Sequence, residues 1–217
     1  RCLVRQERTA ASVAGGFVFS EEYENKNTSN EAFVRMLYEA LFGRTPAASE
    51  VQFWVDYLDK GVTRQFVYQG FANSVEFGNL CSRYGVTQGS FQSSSALDKN
   101  LGVTAFVTRM YTVCLKRSGK EAERADWAER LLNQNFTGKD IIYGFFESEE
   151  LNKKNLSNRE FVTRVYQTVF DREPDQSGYS LWVGYLDRGV SRREVLNGFI
   201  YSEEFTKLCN RFGITRS

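Results

Sequence analysis

The sequence lacks the residue on which many enzyme mechanisms depend. Its 217 residues contain no histidine and only 2 prolines. Without histidine there is no His-based general acid or base, no Ser-His-Asp or Cys-His nucleophile and no His-ligated metal. Nucleophile-elbow, dinucleotide-binding and zinc-protease motifs are also missing. We therefore predict that the protein is not an enzyme and has no catalytic residues, cofactor or metal.

Charge of one sign and long apolar runs are also missing. The chain has 28 basic and 27 acidic side chains, a net charge of +1, which creates no strong field for nucleic acid. No run approaches the roughly 18 apolar residues that a membrane span requires. We expect neither a nucleic-acid partner nor membrane insertion.

What the sequence does contain is an internal repeat. Residues 33–85 match residues 161–213 at a constant offset of 128 positions, so that Trp54 matches Trp182 and Cys81 matches Cys209. A related stretch between them contains Trp127. We name the repeats A (31–86), B (105–155) and A′ (156–217). The Ser-, Gln- and Gly-rich stretch between A and B predicts a linker over 87–104.

The first thirty residues resemble a damaged B repeat. Residues 15–34 match 143–162 at the same offset of 128, but Cys2–Arg5 matches Cys114–Arg117 at an offset of 112. About 16 residues, including the expected Trp helix, have no counterpart. The first repeat is therefore truncated, or residues are missing near Gln6. The predicted organisation is two B-A modules, 1–86 and 105–217, joined by the linker.

Apolar residues within each repeat follow a helical period. In A′, Phe161, Val165 and Val169 recur at four-residue spacing, and Ser157 with Glu160 forms a capping box before them. Four such segments per repeat predict an all-α fold of tandem units with about four short helices each. The single Trp of each repeat is predicted to anchor the core.

Two acidic patterns invite functional interpretations that the repeat disfavours. Three Glu pairs each follow a Ser at the same repeat position, which favours helix capping over acid–base catalysis. They are Glu21-Glu22, Glu149-Glu150 and Glu203-Glu204. Asp171, Glu173 and Asp175 resemble a calcium loop, but A and B lack carboxylates at these positions. We do not predict a metal site.

The four cysteines occupy repeat-equivalent positions. Cys2 and Cys114 lie on the first helix of the B repeats, and Cys81 and Cys209 on the last helix of the A repeats. One disulfide per module would pair Cys2 with Cys81 and Cys114 with Cys209, stabilising the fold in an oxidising compartment. Cys81–Cys114 pairing and buried free thiols are the alternatives.

Three tyrosines depart from the repeat pattern. Tyr143 aligns with Gln69 and Asn197, Tyr179 with Val51, and Tyr201 with Glu147. Because tyrosine is enriched at binding hot spots, Tyr143, Tyr179 and Tyr201 are the candidate protein-binding residues.

Several segments resemble a bacterial helical repeat known as the "four-two-one-four" family of domains of unknown function. The likeness is carried by GFVFSEEYENKNTSNEAFV, FVTRMYTVCLKR, WVGYLDRGVSRREVLNGFIYSEEF and LCNRFGI, and it covers nearly the whole chain. The resemblance implies a secreted or cell-surface bacterial protein. Within that group the sequence is similar to immunoglobulin-binding, superantigen-like proteins of gut commensals.

These observations give one functional hypothesis and one alternative. The hypothesis is a non-enzymatic, extracellular protein-binding module whose helix surface binds the heavy-chain variable domain of host antibodies. The variable-domain partner is implied by the resemblance. The alternative is a structural or cell-wall (glycan-binding) repeat domain of a bacterial surface protein.

Overall fold

The structure, a computed structural model, describes residues 8–133 and 135–217 and confirms the all-α fold. The described residues form helices, turns and loops and contain no strand. They divide into two compact units: unit 1 ends at Asp98 and unit 2 begins at Lys99. The predicted linker, 87–104, contains this boundary. None of the described helices combines the length and the apolar character needed to cross a membrane.

Unit 1 contains six α-helices among its described residues. They are α1 (Ala10–Val18), α2 (Glu21–Glu24), α3 (Asn30–Leu37), α4 (Ala48–Asp59), α5 (Arg64–Ala72) and α6 (Val75–Arg83). A short 3-10 turn, Ala96–Asp98, ends the unit.

Unit 2 contains eight α-helices among its described residues. They are α7 (Leu101–Arg109), α8 (Glu121–Asn133), α9 (Gly138–Phe146), α10 (Glu149–Lys153), α11 (Asn158–Val165), α12 (Gln176–Asp187), α13 (Arg192–Ile200) and α14 (Glu203–Phe212). Helices α1 and α9 occupy the same repeat position, because their bounds differ by the offset of 128.

Local side-chain capping sets where many of these helices begin. The capping box predicted for A′ is present: Ser157 with Glu160 opens α11. A second box, Ser191 with Glu194, opens α13. In each box the serine hydroxyl accepts a backbone N–H of the first turn, while the glutamate accepts the backbone N–H of the serine. The sequence signal and the observed start therefore coincide.

One feature of the first helix in each repeat differs from the predicted α-helix. The apolar segment from Phe161 to Phe170 is α-helical only to Val165, and its last five residues form a wider π-helical turn. This turn places the rings of Tyr166 and Phe170 each 4.9 Å from the ring of Phe199. The same turn recurs at Tyr38–Phe42 and Met110–Cys114. In A′, the change from an α-helical to a π-helical turn therefore goes together with the packing of these aromatic rings against α13.

The predicted role of the tryptophans is consistent with their packing. The ring of Trp182 lies 4.9 Å from Phe199 and directly against Gly198, where an added methyl group would overlap it. Trp54 with Gly70, and Trp127 with Gly144, repeat this arrangement. Glycine is needed at these positions because the indole ring occupies the space of a side chain.

The segment predicted as a linker begins against unit 1. Backbone N–H groups of Ala10 and Ala11 donate to the carbonyls of Thr87 and Gln88, both at 2.8 Å. Further along, the ring of Phe91 lies 4.9 Å from that of Tyr68. Residues 101–104 form the start of α7.

Two predictions about the N-terminus fall on residues 1–7. The match of Cys2–Arg5 to Cys114–Arg117 and the gap near Gln6 lie outside the described residues. Helix α1 begins with Thr9 as its N-cap, whose hydroxyl accepts the N–H of Ser12.

Candidate protein-binding surface

Two of the three candidate tyrosines lie together on unit 2. Tyr143 is in the middle of α9, and Tyr201 is the residue that ends α13. The two phenol groups are close enough for Tyr201 to contribute to the raised pKa of Tyr143, for which burial is the larger cause. Tyr179 lies on α12, is half-buried and is outside this group.

The side chains around Tyr143 are held by mutual contacts. Its hydroxyl donates to the side-chain carbonyl of Asn197, and the guanidinium of Arg193 lies over its ring, 4.4 Å from the centroid. Arg193 in turn forms an ion pair with Glu147. We call Tyr143, Glu147, Arg193, Asn197 and Tyr201 the tyrosine–arginine surface. A cation above an aromatic ring and a hydrogen bond at its far end restrain the tyrosine before any partner binds.

Sequence reasoning identified the tyrosines of this surface but missed its polar members. Arg193, Asn197 and Tyr201 follow at four-residue spacing on α13, so they share one helix face. That spacing was readable from the sequence. Their approach to Tyr143 depends on how α13 packs with α9, which no local pattern encodes.

Unit 1 covers the equivalent face with its own chain. Asn73, which matches Tyr201, exchanges two hydrogen bonds of 2.8 and 2.9 Å with the backbone of Phe91. Gln69, which matches Asn197, accepts the N–H of Ser93 at 2.8 Å. In unit 2, Tyr201 is 56% exposed. Unit 1 thus uses the matching positions to hold an extended segment of its own chain.

The acidic pairs lie in the first turn of a helix, directly after its serine N-cap, as predicted. Ser20, Ser148 and Ser202 each accept a backbone N–H at the start of the helix that carries the pair. A carboxylate in the first turn is favourable because the helix N-terminus is positive.

In repeat B the second residue of the acidic pair, Glu150, is also bound by an arginine, in an arrangement that we call the arginine clamp. The Arg117 guanidinium binds Glu123 at 2.9 Å and Glu150 at 2.7 Å, and it lies 5.0 Å from the centre of the Tyr111 ring. Hydrogen bonding to Arg117 lowers the pKa of Glu123 to about 2. The other repeats have the same clamp, with Arg44 between Glu50 and Glu76, and Arg172 between Asp175 and Glu204. These carboxylates connect the loop to two helices of their repeat.

The residues that resemble a calcium loop are used in other contacts. Asp171 forms ion pairs with Arg109 at 2.7 Å and Arg211 at 2.9 Å. Asp175 caps α12, and its hydrogen bond to the Gly178 N–H lowers its pKa to about 2. Across 8–133 and 135–217, no cluster of three or more Cys, Asp or Glu side chains could hold a metal ion.

The predicted disulfide of the second module is not formed. Cys114 and Cys209 are buried free thiols, so the structure does not support the Cys114–Cys209 pairing. Cys114 lies near Arg164, whereas the sulfur of Cys209 lies against Gly138 at the start of α9. Repeat equivalence does not place the two sulfurs together, because each is held in a different set of packed helices. Cys81 is also a buried free thiol, which leaves no support for Cys2–Cys81 or Cys81–Cys114; Cys2 lies outside the described residues.

We expect Cys81, Cys114 and Cys209 to resist alkylation in the folded protein. Burial raises the pKa of Cys114 and Cys209 to about 12, so the reactive thiolate is scarce and shielded. Peptide mapping after iodoacetamide treatment measures this. All three should become labelled in guanidinium without any reductant. Labelling of Cys114 and Cys209 that needs a reductant would restore the disulfide.

The recurring capped helices, arginine clamp and Trp–Gly contact define a helical-repeat protein. The chain belongs to the family described as Domain of unknown function (DUF4214), whose model matches residues 14–81, 87–155 and 150–209. These matches cover most of the chain and bear out the resemblance at the level of the family. No curated protein and no solved structure matches the chain.

Proposed function

We propose that the protein is a non-enzymatic binding module that contacts a protein partner through the tyrosine–arginine surface. The observation that carries this proposal is the exposed Tyr201 beside Arg193, which is stacked on Tyr143. Tyrosine and arginine dominate binding hot spots, since each combines a large apolar area with hydrogen-bonding groups. A surface whose side chains are already restrained loses less conformational entropy on binding.

The partner we propose is the heavy-chain variable domain of a host antibody. This choice rests on the resemblance to immunoglobulin-binding, superantigen-like proteins of gut commensals. An antibody partner also requires display outside the cell, so we propose an extracellular or bacterial cell-surface location. The free thiols of Cys81, Cys114 and Cys209 remove the disulfide argument for that location. It now depends on the resemblance alone.

Binding to a panel of Fab fragments from different heavy-chain families tests the proposal. We expect the intact chain to retain some families, and the double variant Tyr201→Ala, Arg193→Ala to bind them at least about tenfold more weakly. Both side chains are largely exposed, so the variant should remain folded. Tyr84→Ala is the matched control, because Tyr84 is exposed and lies in unit 1. Biolayer interferometry measures the affinities, and circular dichroism checks the fold.

Retention of no Fab family by the intact chain would refute the antibody proposal. Equal losses in the double variant and in Tyr84→Ala would show that the tyrosine–arginine surface is not the contact. Binding to purified peptidoglycan or polysaccharide, with indifference to every Fab, would favour the structural or glycan-binding alternative.

A further inference from the structure

Unit 1 holds an extended segment of its own chain, residues 89–95, which we call the strap. The strap forms no helix or strand, and no backbone–backbone hydrogen bond joins residues 89–94 to another described residue. Phe91 is half-buried and Ser93 is buried, whereas Gln92 and Ser94 are exposed. This alternation of covered and exposed residues is the pattern of an extended peptide that lies on a surface.

The aromatic side chain of the strap lies in a seat formed by two other rings. The ring of Phe91 is 4.9 Å from that of Tyr68, in edge-to-face contact, and 6.0 Å from the stacked ring of Phe19. Tyr68 is buried, and its hydroxyl donates to the carbonyl of Ala11 on α1. The seat is therefore held in place by α1 and α5, and its geometry favours an aromatic ring.

Two amide side chains of unit 1 hold the strap by its backbone. The side chain of Asn73 accepts the N–H of Phe91 at 2.9 Å and donates to the carbonyl of the same residue at 2.8 Å. Gln69 accepts the N–H of Ser93 at 2.8 Å. These bonds recognise an extended backbone whatever its side chains. The Ser93 hydroxyl donates to the Asp98 carboxylate, which adds a preference for serine at this position.

Unit 2 does not repeat the residues that bind the strap, which we call the strap groove and which are Phe19, Tyr68, Gln69 and Asn73. Phe19 matches Glu147 and Tyr68 matches Leu196 at the offset of 128. Helices α9 and α13 of unit 2 nevertheless form at the positions of α1 and α5. The groove is therefore not a requirement of the repeat fold.

We propose that the strap groove is a recognition site for an extended peptide of a partner protein, in which an aromatic residue is followed two positions later by serine. The strap occupies this site as a built-in competitor. In the complex, the aromatic ring of the partner enters the seat of Phe19 and Tyr68, and its backbone bonds to Asn73. This site is distinct from the tyrosine–arginine surface and does not depend on an antibody partner.

The way in which the strap is attached allows the partner to replace it. Side chains, and not a helix or a sheet, hold the backbone of residues 89–94. Segments of this kind open locally without unfolding of the domain. Because the strap is part of the same chain, it competes at a high effective concentration. A free peptide should therefore bind well only when the strap is weakened.

A peptide of residues 89–95 with blocked ends is the probe, and NMR titration of the ¹⁵N-labelled full chain measures its binding. Phe91→Ala removes the ring of the strap from the seat. We expect this variant to show saturable shifts of the Gln69 and Asn73 signals, with an affinity at least tenfold above that of the unmodified chain. In the Phe91→Ala background, Asn73→Ala should weaken binding at least tenfold, because two hydrogen bonds are lost. Asn79→Ala, at an exposed asparagine of α6, is the matched control and should leave binding unchanged.

Absence of saturable binding to a Phe91→Ala chain that circular dichroism shows to be folded would overturn the proposal. So would binding that Asn73→Ala leaves unchanged, since the peptide would then occupy another place. Hydrogen exchange of the unmodified chain tests release of the strap without any variant. The amides of Phe91 and Ser93 should exchange faster than that of Phe71 in α5, and equally slow exchange would also overturn the proposal.

Discussion

Replacing Phe199 by alanine is expected to lower the free energy of unfolding by about 3–5 kcal/mol, the usual cost of removing a buried phenylalanine. Phe199 is fully buried and contacts the rings of Tyr166, Phe170 and Trp182. The variant leaves a cavity that these rigid rings fill only in part. Urea denaturation followed by tryptophan fluorescence measures the loss.

Phe17→Ala provides the matched control for this variant. Phe17 matches Phe145 at the offset of 128, and Phe145 aligns with Phe199 in the next repeat. Because Phe17 is 72% exposed, its removal should change the free energy of unfolding by less than about 0.5 kcal/mol. Because the residue type and the repeat position are the same in the two variants, the difference between their free energies of unfolding reports the effect of burial. A loss at Phe17 as large as that at Phe199 would contradict the difference in burial between the two side chains.

Gly144→Ala and Gly16→Ala are expected to change stability in opposite directions. At Gly144 the new methyl group meets the Trp127 ring, and we expect a net loss of about 1–2 kcal/mol after the gain in helix propensity is subtracted. At Gly16 the space is open, so the gain in propensity remains and stability should rise by about 0.5–1 kcal/mol.

Thermal and urea unfolding of the two variants, followed by circular dichroism, measure these changes. Gly198→Ala offers a second case of the destabilising type, because Trp182 occupies the same position against it. Destabilisation by Gly16→Ala would show that α1 already has a neighbour at that position. Stabilisation by Gly144→Ala would contradict the close contact with Trp127.

The predictions that the structure confirms are those that depend on residues close in sequence. Ser157 and Glu160 identified a helix start because a capping box closes within one turn. The offset of 128 identified equivalent helices because repeats with the same apolar pattern bury the same face. The π-helical turn at Tyr166–Phe170 escaped prediction, because its rings are positioned against Phe199 on a later helix.

The sequence by itself determined the all-α class, the repeat and many of the helix starts, since local hydrogen bonds and apolar periodicity encode them. Tertiary structure decided which side chains meet. It left Cys114 and Cys209 apart as buried thiols, and it brought Arg193 over Tyr143. It also decided that Phe17 is exposed while Phe145, at the same repeat position, is covered by Trp127. The physical reason is that burial depends on the neighbouring helix: α8 covers Phe145, whereas none of the described residues covers Phe17 in this way.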